Sequence, residues 1–161
     1  GMITHHLLDS LSVAPYLHGT RIADLGTGAG FPGLPLAIAC PGRQFTLVDS
    51  TAKKIRFIEH AVRTLGLGNV RAVHARIEQL PDLAPAPAWD TVLARALAPG
   101  DKLLPLVRPL CGPETRVLAM CGRRPDAELA ALPAGWRLVS LHLLRVPGLD
   151  AERHLLIFAT T

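Results

Sequence analysis

The chemistry most legible in this chain lies in the run Asp24-Leu25-Gly26-Thr27-Gly28-Ala29-Gly30-Phe31-Pro32-Gly33. Glycines at alternate positions let a backbone pass close to a ligand and adopt angles that a side chain forbids. The run follows a short apolar segment, Arg21 to Leu25, and leads into a helical one. A turn placed between strand and helix lies at the carboxyl edge of a parallel sheet, where open α/β folds bind their ligands. Nineteen residues after Gly30, Asp49 ends the next apolar segment. A carboxylate there can accept hydrogen bonds from both hydroxyls of a ribose. The combination predicts a nucleoside-bearing cofactor held by Asp24, Gly26, Gly28, Gly30 and Asp49, against the plainer reading of a tight turn alone.

Gly28-x-Gly30-x-x-Gly33 also satisfies the dinucleotide fingerprint, so a nicotinamide enzyme has to be weighed. Two residues count against it. Asp24 precedes the first glycine by two positions, where a carboxylate meets an ammonium or water better than a pyrophosphate. Pro32 removes an N–H from the start of the helix, where phosphates need donors. An uncharged linker carrying an amino acid and a sulfonium tolerates both, and S-adenosylmethionine is the better fit. At the same edge Ile77 and Glu78 follow the third strand, an apolar side chain for the adenine face and a carboxylate for its amino group. The alternative for Glu78 is a solvent-facing loop position. Arg95, at the tip of the fourth strand, is either a surface cap or a site residue.

The elements that must position these residues alternate along the chain. Strands are expected at Arg21 to Leu25, Gln44 to Asp49, Val70 to His74, Thr91 to Ala94 and Arg116 to Met120. Helices are expected at Pro35 to Cys40, Lys53 to Leu65, Lys102 to Val107 and Asp126 to Leu132. Ile55, Ile58, Val62 and Leu65 recur at helical spacing, with Gly66 as the C-terminal cap. Pro81 to Pro87 reads as a surface loop. Such alternation predicts an α/β fold, a doubly wound and mostly parallel Rossmann-like sheet. Arg137 to Val146 and His154 to Ala159 come in succession, joined through Pro147-Gly148-Leu149-Asp150. They bring the strands to seven and predict an antiparallel hairpin at the sheet's edge, because a parallel crossover does not fit so short a connection.

A length of 161 residues suits one domain, taken as 2–161. No apolar window approaches the length of a membrane span, and no secretory signal opens the chain, so no membrane role is expected. Cys40, Cys111 and Cys121 are odd in number and widely spaced, which argues against a disulfide framework or a metal site and for a reducing cytosol. A net charge of +4 mildly favours a polyanionic partner.

Together these pieces resemble the bacterial ribosomal RNA small subunit methyltransferase G family, also called glucose-inhibited division protein B, over nearly the whole chain. His6-Leu7-Leu8-Asp9-Ser10-Leu11 resembles its N-terminal motif, and the run from Asp24 to Gly33 its cofactor loop. The Phe-Pro-Gly ending of that loop is more specific than a generic glycine motif. Leu47-Val48-Asp49-Ser50 with Lys53-Lys54-Ile55-Arg56-Phe57 resembles its second motif, and Val146 to Leu155 its C-terminal signature. The resemblance implies a class I methyltransferase fold and methyl transfer from S-adenosylmethionine to N7 of one guanine in small-subunit (16S) ribosomal RNA. It implies cofactor contacts from Gly26, Phe31, Ile77, Glu78 and Arg95. The family usually begins with a further helical segment ahead of the motif found here at His6. It also typically carries a lysine where this chain has Cys121, a position whose charge Arg123 or Arg124 would have to replace.

N7 of guanine has a free lone pair, so proximity and in-line alignment carry the expected catalysis and no acid or base is nominated. His6, Asp9, Ser10, Arg153 and His154 are candidates for the rim around the target base, and Arg123 and Arg124 for phosphate contacts. The plainer readings are local capping for Asp9 and Ser10, and a hairpin ion pair with Glu152 or Asp150 for Arg153. Two rival functions remain: a small-molecule methyltransferase on the same fold, and a catalytically impaired cofactor- and RNA-binding domain. The expected partner is ribosomal RNA or the small ribosomal subunit, met by a monomer.

Overall fold

The computed structural model describes residues 2–83, 89–95, 102–145 and 152–161, with side chains from His6 onward. Seven strands form one sheet: β1 (Arg21–Leu25), β2 (Gln44–Asp49), β3 (Val70–His74), β4 (Trp89–Arg95), β5 (Cys111–Cys121), β6 (Trp136–Leu144) and β7 (Arg153–Thr160). Their order is β3-β2-β1-β4-β5-β7-β6. The first five run parallel, and β7 enters antiparallel between β5 and β6. The chain direction therefore switches sides between β1 and β4, and ligands of doubly wound sheets bind in the crevice at such a point.

Among the described residues six α-helices accompany the strands: α1 (Met2–Leu11), α2 (Gly33–Ala39), α3 (Ala52–Leu65), α4 (Leu80–Leu83), α5 (Leu103–Val107) and α6 (Asp126–Ala130). Alternate strand residues feed two separate cores, as the pleat requires. Ile22, Phe45, Leu47, Leu93 and Leu118 pack with Leu34 and Leu36 of α2 and Ile55 and Ile58 of α3 on one face. Ala23, Val48, Val92, Val117 and Phe158 pack with Leu80, Leu104 and Val107 on the other. This is the doubly wound, mostly parallel seven-stranded sheet with a C-terminal antiparallel pair.

Most differences from the expected elements are at their ends. β5 begins at Cys111, five residues before the expected Arg116, because Trp89 of β4 pairs with Cys111 across an irregular register. Side-chain periodicity does not report that kind of pairing. α2 starts two residues early, at Gly33, and α6 stops at Ala130. Leu80–Leu83 is helical rather than loop because Leu80 is fully buried in the core; the rest of that expected loop, and the Pro147 to Asp150 connection, lie outside the described residues. Gly66 closes α3 as expected, in the left-handed region at φ 64°, and the Leu67 N–H reaches the Val62 carbonyl at 3.0 Å.

Candidate cofactor site

The glycine loop is shaped from below by one carboxylate. Asp24, the penultimate residue of β1, has 2% of its surface exposed. Its Oδ2 accepts the Thr27 hydroxyl at 2.8 Å and the Gly33 N–H at 2.9 Å. Gly33 is glycine because a Cβ there would lie 2.8 Å from that same oxygen and from Leu47. From above, the N–H groups of Gly26 and Thr27 donate to the Val48 carbonyl at 2.8 and 3.0 Å, fastening the loop to β2. Burial raises the Asp24 carboxyl to about 7, against the opposing pull of Thr27, Gly33 and the Arg95 charge. Asp24 is thus the strut of the loop, and its mapped partners are the loop's own groups rather than an exposed ligand position.

This arrangement disposes of the dinucleotide reading. A pyrophosphate at the start of α2 would need free N–H donors. Gly33 gives its N–H to Asp24, and Leu34 gives its own to the Gly30 carbonyl at 2.6 Å. Pro32, after a cis peptide, has none to give.

Asp49 ends β2 beside the loop. Its Oδ2 accepts the Gly28 N–H at 2.9 Å and its Oδ1 the Thr51 N–H at 2.9 Å. Burial works to raise its pKa, yet the N–H bonds from Thr51 and Gly28, the Thr51 hydroxyl and the Lys54 charge outweigh it and hold the carboxyl below its ordinary range. Asp49 is therefore an anion at neutral pH, and three protein donors leave its carboxylate acceptor capacity for a ligand hydroxyl.

Gly26, Val48, Asp49, Ser50, Ala75, Arg76, Ile77 and Glu78 line a cavity of about 410 Å³ at this edge. Gly26 and Gly28 hold φ of 68° and 60°, and a Cβ added to either would meet nothing within 4 Å. Their open side leaves the backbone approachable. Apolar walls from Val48, Ala75 and Ile77, between the carboxylates of Asp49 and Glu78, suit an adenosine: a flat face to cover, an amino group and a ribose to bind. Ser50, Ala75 and Arg76 were not singled out from sequence. They flank Asp49 and Ile77 directly, and the shared strand-end position was the available signal.

Arg95 projects from the end of β4, close enough for its charge to act on Asp24. α1 comes to the same region. The His6 ring lies 5.7 Å from that of Phe31, and the Asp9 carboxylate 3.6 Å from Nε of Arg153 at the start of β7. Three of the expected rim residues, His6, Asp9 and Arg153, are thus brought together beside the loop. Arg153 pairs with α1 rather than with the Glu152 carboxylate, and also donates to the Glu152 carbonyl at 3.1 Å; Asp150 lies outside the described residues. Ser10 departs from expectation. It is buried, and its hydroxyl donates to the His6 carbonyl at 2.7 Å, a bond within α1. His154 is buried beside Cys121 across the β5–β7 pairing, and its Nδ1 has no partner among the described residues.

Past β5, Arg124 is engaged with Asp126 at 2.7 Å on the surface, while Arg123 stands exposed. Burial pushes the Cys121 thiol up to about 11, so it offers no charge where the family typically has a lysine. No group of metal-ligating side chains occurs among the described residues. Nor is any described helix long and apolar enough to cross a membrane.

Comparison with known proteins agrees with this geometry. Among solved structures, TrmN from Thermus thermophilus superposes with a TM-score of 0.69 at 23% identity, over 96% of this chain and 48% of its own. A SAM-dependent methyltransferase from Aquifex aeolicus superposes at 0.70 and 17% identity, over 96% and 92%. Both show the fold. The Ribosomal RNA small subunit methyltransferase G of Methylococcus capsulatus is 55% identical over 150 residues, 93% of this chain and 71% of that protein. Its counterpart in Aeromonas salmonicida is 49% identical over 158 residues, 98% of this chain and 74% of that protein. A family model described as rRNA small subunit methyltransferase G matches residues 1–156, and the chain belongs to that family.

Proposed function

We propose that this chain transfers a methyl group from S-adenosylmethionine to N7 of a guanine in 16S ribosomal RNA of the small subunit. The observation that carries the reading is the cavity at the carboxyl ends of β1, β2 and β3, where an ionised Asp49 faces an open glycine backbone in a chain of this family. S-adenosylmethionine, when bound, supplies an electrophilic methyl carbon. Asp49 holds the ribose hydroxyls, Ile77 covers the adenine face, and Glu78 accepts from its amino group. Gly26, Gly28, Gly30 and Phe31 form the floor along the linker, with Asp24 keeping that floor in shape and Arg95 at its rim.

N7 of guanine carries a free lone pair, so no residue here has to remove a proton before attack. The protein's contribution is alignment and the exclusion of water. His6, Asp9, Arg153 and His154 border the space that a base leaving its stack would enter, while Arg123 and Arg124 reach outward to phosphates. The protein works as a cytoplasmic monomer on ribosomal RNA or the small subunit.

The test is transfer of labelled methyl from S-adenosylmethionine to small-subunit RNA, with an Asp49→Ala control. Label in RNA guanine that disappears in the control supports the proposal. Normal cofactor binding without incorporation supports instead an impaired cofactor- and RNA-binding domain, the reading that the uncharged Cys121 favours. Label in small molecules alone, or failure to bind the cofactor, refutes the proposed reaction.

A further inference from the structure

The run Lys53-Lys54-Ile55-Arg56-Phe57 has no part in the cofactor site beyond Lys54, whose charge helps to hold Asp49 ionised. It opens α3, which begins two residues after Ser50 at the cofactor cavity and runs for about 21 Å. Ile55 and Ile58 are buried, and Ala61 and Val62 pack partly against the same core. On the opposite side Lys53, Phe57, His60 and Thr64 recur at helical spacing, and all four are exposed. Arg56 and Arg63, two turns apart, flank that row and are exposed as well. The Phe57 ring, 53% exposed, therefore stands among cations on the outward face of a well-buried helix. Along α3 four lysines and arginines meet a single carboxylate, Glu59, one turn from Arg56 and from Arg63. Neither ion pair found among the described residues engages Lys53, Arg56, Glu59 or Arg63, so Glu59 offsets part of the charge without capturing a guanidinium.

Cations spaced along one helix face suit a chain of phosphates, and guanidinium forks match phosphate oxygens. An exposed aromatic ring between them offers a platform on which an unpaired base can stack, whatever its identity. We propose that the outward face of α3 is an RNA-binding surface, in which Lys53, Arg56 and Arg63 hold phosphates and Phe57 stacks on an unpaired base. The proposal rests on the ribosomal RNA reading above and adds to it a surface outside the cofactor cavity and the rim of the target base. An anionic bilayer fits less well, because membrane-surface helices present a continuous apolar face, whereas here one ring stands among charges. A single strand can also follow the helix and bend into the cleft at its start, which a flat bilayer cannot do.

The experiment measures fluorescence anisotropy of a looped small-subunit RNA fragment and of a fully paired duplex, between about 50 and 200 mM salt. Wild type is compared with Phe57→Ala, with Phe57→Trp and with the double variant Arg56→Gln, Arg63→Gln. All three positions are exposed and outside the cofactor cavity, so urea unfolding and S-adenosylmethionine affinity serve as controls. Phe57→Ala should weaken binding of the looped fragment about five- to tenfold with its salt slope unchanged, leave the duplex unaffected, and be rescued by Phe57→Trp. The double variant should lower the slope of log affinity against log salt by about one to two on both RNAs. Wild-type affinity and slope in all variants overturn the surface and leave the methyltransferase reading standing. Binding to vesicles of phosphatidylcholine and phosphatidylserine that the variants lose, with RNA affinity unchanged, overturns it in favour of a membrane. Wild type that binds neither RNA refutes the substrate reading, and this surface with it.

Discussion

Replacing Asp24 by asparagine removes a charge while keeping the acceptor that shapes the cofactor loop. In the fold, burial raises this carboxyl from 3.8 to about 7. A raised carboxyl favours the folded state fully only below its unfolded value, and that advantage is lost as pH rises through the folded one. Ionisation of Asp24 therefore costs the native state stability progressively between about pH 4 and pH 7. Roughly three units at about 1.4 kcal/mol each give a cost on the order of 4 kcal/mol at full ionisation. The asparagine carbonyl can still accept from Thr27 and Gly33, so the loop geometry survives. The assay is urea unfolding of cofactor-free protein at pH 5, 6, 7 and 8, wild type against Asp24→Asn. All other ionisable groups are common to both proteins, and their contributions cancel in the difference. The variant should gain on wild type by a few kcal/mol between pH 5 and pH 8. Parallel stability profiles would refute the assignment of a buried, readily neutralised strut. Because the Arg95 charge lowers the Asp24 carboxyl, Arg95→Ala should carry the loss to higher pH and deepen it in the wild-type background, and leave Asp24→Asn less affected.

Gly33→Ala places a methyl group 2.8 Å from Asp24 Oδ2 and Leu47, and should cost about 1–3 kcal/mol in urea unfolding while weakening cofactor binding in calorimetry; unchanged values would mean that the loop yields easily. The Asp9–Arg153 pair is partly exposed at 3.6 Å, so Asp9→Ala should lower stability by less than about 1 kcal/mol. With its carboxylate partner gone, Arg153 should bind RNA about two- to threefold more tightly in anisotropy, and weaker binding would contradict a rim role.

Sequence periodicity is a local signal, and it served where a local signal is enough. β1, β2 and β4 are short apolar runs largely buried on both faces, and even the half-exposed β3 keeps its β-branched residues, so β1 to β4 stand close to where their residue types put them. β5 exceeds its apolar run because its first residues pair with β4 across an irregularity, and partner strands are invisible to periodicity. Leu80–Leu83 reads as a proline-rich loop until the core that buries Leu80 is known.

The sequence by itself determined the loop, its acidic partner and the family, because alternating glycines and the Phe-Pro-Gly ending are backbone requirements written directly in residue types. It also limited the fold to an alternating α/β sheet, since hydrophobic period follows from local geometry. Only the tertiary structure decided which carboxylate lines the cavity and which lies beneath the loop. Asp24, one residue before the end of β1, and Asp49, at the end of β2, lie beside the same loop; burial turns one into a neutralisable strut, while backbone N–H groups and Lys54 keep the other ionised. It likewise drew Ser10 inward and set Arg153 against Asp9. Charge, burial and pairing at those positions depend on neighbours distant in sequence, which only folding supplies.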